Sequence, residues 1–109
     1  MKISYGITVH NESEELNKLL EVLVLNIDED DEIVICDDFS NKETREVIDH
    51  WELHSPDNML IKHYTRKLNG NFAEHKNSVI ENSVGDYIFH IDADEYPHEI
   101  LLQQLKQIL

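Results

Sequence analysis

Short apolar runs alternate with amphipathic helical stretches four times along the 109 residues, and this alternation restricts the possible folds more than any other feature. Neighbouring parallel strands need a crossover between them, and the crossover is usually a helix. The run Ile33-Val34-Ile35-Cys36 is apolar at every position, as in a strand that is covered on both faces. The pattern therefore predicts a single α/β domain over residues 1–109: a Rossmann-like, three-layer α/β/α arrangement whose mostly parallel sheet has about four strands.

Boundaries of these elements follow from local signals. The predicted strands are Ile3 to Val9, Ile33 to Cys36, Met59 to Tyr64 and Tyr87 to Ile91. Pairs with capping-box spacing predict the helix starts: Asn11 with Glu14, Ser40 with Glu43, and Asn71 with Glu74. Gly85 is predicted to end the third helix, and Pro97 to begin a closing one. The acidic run from Asp28 to Glu32 is predicted to be a solvated loop.

Charge and composition exclude several classes of protein. Nine basic side chains against 23 acidic ones give a formal net charge of -14, which disfavours binding to a nucleic-acid backbone. The single cysteine, Cys36, excludes an internal disulfide and a cysteine-based zinc site, and its apolar surroundings predict a buried, inert thiol. The sequence has no secretion signal and no apolar run near the ~20 residues of a membrane span, so a cytoplasmic protein is predicted.

Acidic residues follow three of the four predicted strands. They are Glu12 after the first, Asp37-Asp38 after the second and Asp92-Ala93-Asp94 after the fourth. Because parallel strands end at one edge of a sheet, where ligands of such folds bind, these carboxylates are expected to converge. Each acidic pair alone is also compatible with a helix cap or a turn. Their joint occurrence favours a site for Mg²⁺ or Mn²⁺, cations that often share their ligand shell with substrate phosphates.

Glycine-rich phosphate-binding motifs are absent from the sequence, which has only three glycines. A phosphate would therefore be held by a metal, a helix N-terminus or a few cations. Four of the nine basic residues lie between positions 62 and 76: Lys62, Arg66, Lys67 and Lys76. Solvated side chains on a helix face are an equally good interpretation of this enrichment. His63 shows no metal-ligand spacing and is predicted to be an ordinary surface residue.

Several motifs, in this order, resemble those of the family 2 glycosyltransferases, which have the GT-A (nucleotide-diphospho-sugar transferase) fold. The matching segments are Ile7 to Glu12, Glu32 to Asn41, Asn69-Gly70-Asn71, Lys76-Asn77 and Gly85 to Glu95. The last segment contains an Asp-x-Asp motif, Asp92-Ala93-Asp94. The resemblance covers nearly the whole chain and corresponds to the N-terminal, donor-binding half of those enzymes.

The resemblance implies a donor site and a metal site. Donor-binding roles would fall on Thr8, Val9, His10, Asn11, Glu12, Asp38, Lys76, Asp92 and Ala93. Metal binding, to Mn²⁺ or Mg²⁺, would fall on Asp94 and Asp92. His10 would stack on the base, and Asp38 would bind a uracil ring, which favours a UDP-sugar donor. Phe39 stands where the family commonly has glycine, and it either narrows the turn or offers another stacking face.

The expected function is transfer of a sugar from a nucleotide-diphosphate donor to an acceptor that the sequence does not identify. In the family, the acceptor-binding half and the catalytic base come later than this chain extends, and no residue here matches that base. Glu95 and His98 are close enough in sequence to be stand-ins, but the catalytic residue stays unassigned. Two alternatives stay open: a non-catalytic nucleotide-sugar-binding module and a structural partner of a larger transferase. A phosphoryl-transfer protein fits poorly, because His10-Asn11 follows the first strand where those folds place an aspartate. The apolar end, Leu101 to Leu109, predicts a homodimer.

Overall fold

All four strands of the sheet run parallel, in the order β3-β2-β1-β4. The computed structural model describes residues 2–55, 59–67 and 72–95, together with Leu102. The elements are β1 (Ile3–Val9), α1 (Ser13–Asn26), β2 (Glu32–Asp37), α2 (Lys42–Leu53), β3 (Leu60–Thr65), α3 (Phe72–Glu81) and β4 (Tyr87–Asp92). The predicted parallel α/β fold and its four strands are confirmed, with strand ends shifted by at most one residue.

Helices α1 and α2 cover one face of the sheet. Ile3, Tyr5 and Ile7 alternate along β1 and form one buried cluster with Leu19 of α1 and Ile48 of α2. Alternate residues of a strand point to the same face of the sheet, and residues three or four apart share one face of a helix, so the apolar side chains of β1 meet those of α1 and α2. The cluster is the main hydrophobic core.

Helix α3 covers the opposite face and makes the third layer. Gly6 of β1 faces it, and a Cβ atom built at Gly6 would lie 2.3 Å from Cγ1 of the buried Val79. On the same face, the Tyr64 hydroxyl and the Ser78 hydroxyl are hydrogen-bonded at 2.7 Å. Cys36 is buried, as predicted, and its burial raises the pKa of the thiol. The predicted three-layer arrangement is confirmed.

Two acids of the Asp28 to Glu32 run are buried, so the prediction of a solvated loop is wrong for them. Asp31 accepts a hydrogen bond from the Ile3 N–H at 2.9 Å. Glu32 accepts from the Ser4 hydroxyl and from the Val84 N–H at 2.6 Å, and it pairs with the Lys62 ammonium at 2.9 Å. We call Ser4, Glu32, Lys62 and Val84 the amino-end network, because it lies where β1 and β2 begin. Its hydrogen bonds and its ion pair neutralise the buried Glu32 carboxylate and stabilise the fold.

The prediction that Gly85 ends α3 is also wrong, since that helix ends four residues earlier, at Glu81. Gly85 instead lies against β1. A Cβ atom there would be 2.7 Å from the Ser4 nitrogen and 3.0 Å from the Ile3 carbonyl carbon. Glycine is needed because two backbones approach closely, and the Gly85 N–H donates to the Ser4 hydroxyl at 2.7 Å.

Neither of the first two predicted capping boxes forms. The residue before α1 is Glu12, which makes no side-chain cap, and α2 is capped by Asn41, whose side chain accepts from the Thr44 N–H at 3.0 Å. Asn71 and Pro97 lie outside the described residues, and of the predicted closing helix only Leu102 is described; it is buried. No helix in the described part of the chain has the length and apolarity to cross a membrane.

Candidate functional site

The carboxyl ends of β2, β1 and β4 lie side by side. In the strand register Val9 is opposite Asp37 on one side, and Thr8 is opposite Asp92 on the other. The order of the strands reverses between β1 and β4, since β1 pairs with β2 on one side and with β4 on the other. Sheets of this kind bind ligands at the carboxyl edge beside such a switch point. The predicted convergence of the strand ends is therefore present.

Short hydrogen bonds hold the junction between β1 and β4. The Thr8 hydroxyl donates to the Asp92 carboxylate at 2.7 Å, and the Ala93 N–H donates to the Thr8 carbonyl at 3.0 Å. Glu95 closes the turn: its carboxylate accepts from the Asp92 N–H, and its own N–H donates to the Asp92 carbonyl, both at 2.9 Å. Asp92 and Asp94 are exposed, whereas Ala93 is buried, so the turn presents two carboxylates to solvent.

Electrostatics link these two acids to Glu12. Partial burial is the main cause that raises the pKa of Glu12, and the charges of Asp94, Glu15 and Asp92 raise it further, against a weak hydrogen bond from the His10 N–H. Glu12 therefore lies within the field of both aspartates. The exposed carboxylates of Asp92 and Asp94 offer the hard oxygen ligands that Mg²⁺ and Mn²⁺ prefer, so this pair fits the predicted metal.

Hydrogen bonds also join the loops that follow β1 and β2. The Asp38 N–H donates to the Val9 carbonyl at 2.9 Å. The Asn11 N–H donates to the Ser40 hydroxyl at 3.1 Å, and the Asn41 N–H donates to the Asn11 side-chain oxygen at 2.6 Å. Asn11 and Ser40, predicted as helix caps, therefore tie the two loops together. Asn11 has a φ of 53°, a left-handed conformation that asparagine adopts more readily than most residues.

The ring of His10 is fixed in this loop pair. Its Nδ1 is hydrogen-bonded to the Asp38 carbonyl, and since a carbonyl only accepts, Nδ1 carries the proton. The other nitrogen, Nε2, then accepts from the Asn11 side-chain amide at 3.2 Å. The Asp38 carboxylate lies 3.9 Å from Nδ1. His10 thus presents an oriented and exposed aromatic face next to Asp38.

A cavity of about 620 Å³ opens beside these loops. It is lined by His10, Asp38, Phe39 and Lys67. Its volume is within the range of small-molecule sites, and it combines two rings with a carboxylate and an ammonium group. His10 and Asp38 were predicted donor-binding residues. Phe39 was predicted either to narrow the turn or to offer another stacking face, and Lys67 was one of four basic residues considered for a phosphate.

Of the nine predicted donor-binding residues, His10 and Asp38 line the cavity, six others lie in the segments at the strand ends, and Lys76 lies at neither place. It is exposed on α3, and none of the contacts among the described residues joins it to the strand-end loops.

A separate group, Asp49 and Glu52 on α2 with His63 on β3, has ligand atoms within 4.8 Å of one another. The prediction that His63 is an ordinary surface residue missed this grouping, because a helix and a strand contribute to it. It is distinct from Asp92 and Asp94.

Comparisons with known proteins agree with this fold. The SPbeta prophage-derived glycosyltransferase SunS of Bacillus subtilis is 33% identical over 92 residues, which are 84% of this chain and 20% of SunS. The solved structure of S. aureus TarS 1-349 with UDP-GlcNAc has a TM-score of 0.80 at 21% identity, covering 98% of this chain and 30% of that one. The mannosyltransferase PcManGT from Pyrobaculum calidifontis, solved with GDP-Man and Mn²⁺, has a TM-score of 0.78 at 19% identity, covering 95% and 31%.

The chain spans about a fifth of the curated relative that it matches and about a third of the solved structures. At these identities, the solved structures establish a shared fold, the GT-A architecture that the sequence predicted. The family model described as glycosyl transferase family 2 matches residues 4–109, nearly the whole sequence. With this match and the SunS relationship, the chain belongs to glycosyl transferase family 2.

Proposed function

We propose that this chain binds a nucleotide-diphosphate sugar at the carboxyl edge of its sheet, with Mn²⁺ or Mg²⁺, as the donor-binding half of a glycosyltransferase. A UDP-sugar is the favoured donor, and the sugar is transferred to an acceptor. The observation that carries the proposal is the placement of the exposed Asp92 and Asp94 at the same edge of the sheet as the loops of a cavity of about 620 Å³ that His10 and Asp38 line.

The base would occupy the cavity. Asp38 provides a carboxylate acceptor for an imide N–H, and His10 provides a fixed ring on which a base can stack. Thr8, Val9 and Asn11 act mainly by holding these groups, through the hydrogen bonds that join the loops after β1 and β2 and the turn after β4. Support for a nucleotide donor also comes from TarS, solved with UDP-GlcNAc and with UDP, and from PcManGT, solved with GDP-Man.

Asp94 and Asp92 would hold the metal, with Glu12 close enough to add to the negative field. A bound divalent cation supplies charge neutralisation for a diphosphate leaving group. The Thr8 hydroxyl orients Asp92, and the Glu95 carboxylate fixes the turn that presents Asp94. The presence of Mn²⁺ in the PcManGT structure supports this choice of metal.

Calorimetric titration of UDP into the 109-residue chain tests the donor site. We expect binding in the presence of Mn²⁺ and its loss when a chelator is added. Asp94→Asn should remove metal-dependent binding while the protein stays folded. Asp30→Asn makes the same change of charge at an exposed residue before β2, and it should leave the UDP affinity unchanged. Equal affinity of the Asp94→Asn variant and the unchanged chain would remove Asp94 from the metal site.

Release of free UDP from a UDP-sugar separates the proposed transferase from a non-catalytic binding module. A module would bind the donor and release no UDP, and a structural partner of a larger transferase would bind neither metal nor nucleotide alone.

A homodimer and a cytoplasmic location remain predictions. A molar mass by light scattering that stays monomeric at all concentrations would contradict the dimer.

A further inference from the structure

The backbone of Phe39 is in an unusual conformation. Its φ is 45°, in the left-handed region that glycine enters freely and an aromatic residue rarely enters. The side chain is 64% exposed, so its burial contributes little to folding. A strained backbone at an exposed aromatic residue is a reason to look for a function of the ring.

Hydrogen bonds on both sides maintain this conformation. Before Phe39, the Asp38 N–H donates to the Val9 carbonyl at 2.9 Å. After it, the Ser40 N–H donates to the buried Asp37 carboxylate at 3.0 Å. The loop contacts therefore determine the backbone at residue 39, and the ring is left exposed at the mouth of the cavity.

The cavity wall contains two flat rings. Phe39 and His10 both line it, together with Asp38 and Lys67. His10 is held by hydrogen bonds at both ring nitrogens, since Nδ1 donates to the Asp38 carbonyl and Nε2 accepts from the Asn11 amide, so its face is fixed. A carboxylate that accepts and an ammonium group that donates complement a planar heterocycle with an N–H and a carbonyl. Aromatic faces add stacking, which contributes strongly to the binding of bases.

We propose that Phe39 is a nucleotide-binding residue of this chain, which forms with His10 an aromatic wall for the base of the donor. This inference rests on the proposed function and extends it, because it assigns base recognition to a residue that departs from the family pattern. The strained backbone conformation is then what places the ring at the cavity.

Calorimetry with two ligands, each in the presence of Mn²⁺, tests the inference. For Phe39→Gly we expect UDP to bind about tenfold more weakly, because stacking on the ring is lost. Pyrophosphate has no base, and its affinity should stay unchanged. The urea midpoint of unfolding should rise, since glycine relieves the left-handed strain. Phe39→Tyr keeps a ring and should retain the UDP affinity, whereas Phe39→Leu keeps the strain without a ring and should also bind UDP about tenfold more weakly.

Three outcomes would overturn the inference. UDP affinity in Phe39→Gly equal to that of the unchanged chain would show that the ring does not contact the base. Equal weakening of UDP and pyrophosphate would show that residue 39 acts only through the shape of the loop. Failure of the unchanged chain to bind UDP at all would reject the proposed function itself, and with it this inference.

Discussion

Acidic side chains gather at both ends of the sheet, but the two groups are treated in opposite ways. At the amino end, Glu32 is buried, accepts hydrogen bonds from Ser4 and Val84, and pairs with Lys62. At the carboxyl end, Asp92 and Asp94 are exposed. The first group is neutralised by the protein itself, and the second is left exposed to solvent.

The pKa values express the same contrast. Burial alone would raise the pKa of Glu32, but the hydrogen bonds from Ser4 and Val84 and the nearby Lys62 charge outweigh it, so the pKa is lowered. For Glu12, partial burial and the negative charges of Asp94 and Asp92 act in the same direction, so the pKa is raised. A carboxyl group whose ionised form is favoured in the folded state stabilises the fold. One whose ionised form is disfavoured there indicates a place where binding of a cation can release free energy.

Removing the charge at the amino end should have the largest effect on stability. We expect Glu32→Gln to lower the free energy of unfolding by about 2–3 kcal/mol, because three charge-assisted contacts are weakened in a buried position. Urea denaturation measures this change. The control is Glu46→Gln, which removes an exposed acid 3.7 Å from Lys42 and should cost less than about 0.5 kcal/mol. Similar losses in both variants would contradict the internal role of Glu32.

The pH dependence of stability should differ between the two ends. The contribution of Glu32 is complete above the ordinary glutamate pKa of 4.5, and it is lost as the pH falls through its lower folded value. The unfavourable ionisation of Glu12 disappears earlier, as the pH falls through a folded value above 4.5. The test is the free energy of unfolding, measured from pH 7 to pH 3 with a chelator present. In Glu32→Gln this free energy should lack the decrease at acid pH that protonation of Glu32 causes. In Glu12→Gln it should lose a small gain that begins above pH 4.5 as the pH falls. Identical pH profiles of stability in the two variants would contradict the difference between the two ends of the sheet.

At the carboxyl end, removing a charge should barely affect stability. We expect Asp94→Asn to change the free energy of unfolding by no more than about 0.5 kcal/mol, with a slight gain because repulsion with Glu12 is reduced. Mn²⁺ should raise the Tm of the unchanged chain and not that of the variant. A loss of stability as large as that of Glu32→Gln would show that Asp94 is a structural residue.

Much of the fold was predictable because it depends on local patterns. The strands are apolar runs with buried side chains, such as Ile33 to Cys36, and a parallel sheet brings their ends together whatever the loops contain. The convergence of the acids after β1, β2 and β4 follows from that topology. Glu12 and Asp92 were therefore placed near each other from sequence alone.

Features that depend on distant partners were not predictable. Glu32 was assigned to a solvated loop because its partners, Ser4 and Lys62, are 28 and 30 positions away in the sequence. Asn11 and Ser40 have side chains that can cap a helix, but hydrogen bonds between the two loops recruit them instead. The left-handed backbone at Phe39 has no signal in the residue type, since aromatic residues rarely adopt it.

The central position of β1 also determines the order in which the site is assembled. The loops after β1 and β2 are joined by contacts between residues about 28 positions apart, such as His10 with Asp38. The contact between Thr8 and Asp92 spans 84 positions, so closing it requires a much longer loop of chain. During synthesis from the N-terminus, the pair of loops after β1 and β2 can therefore form first. The acids of the turn after β4 join it only when most of the chain has been made.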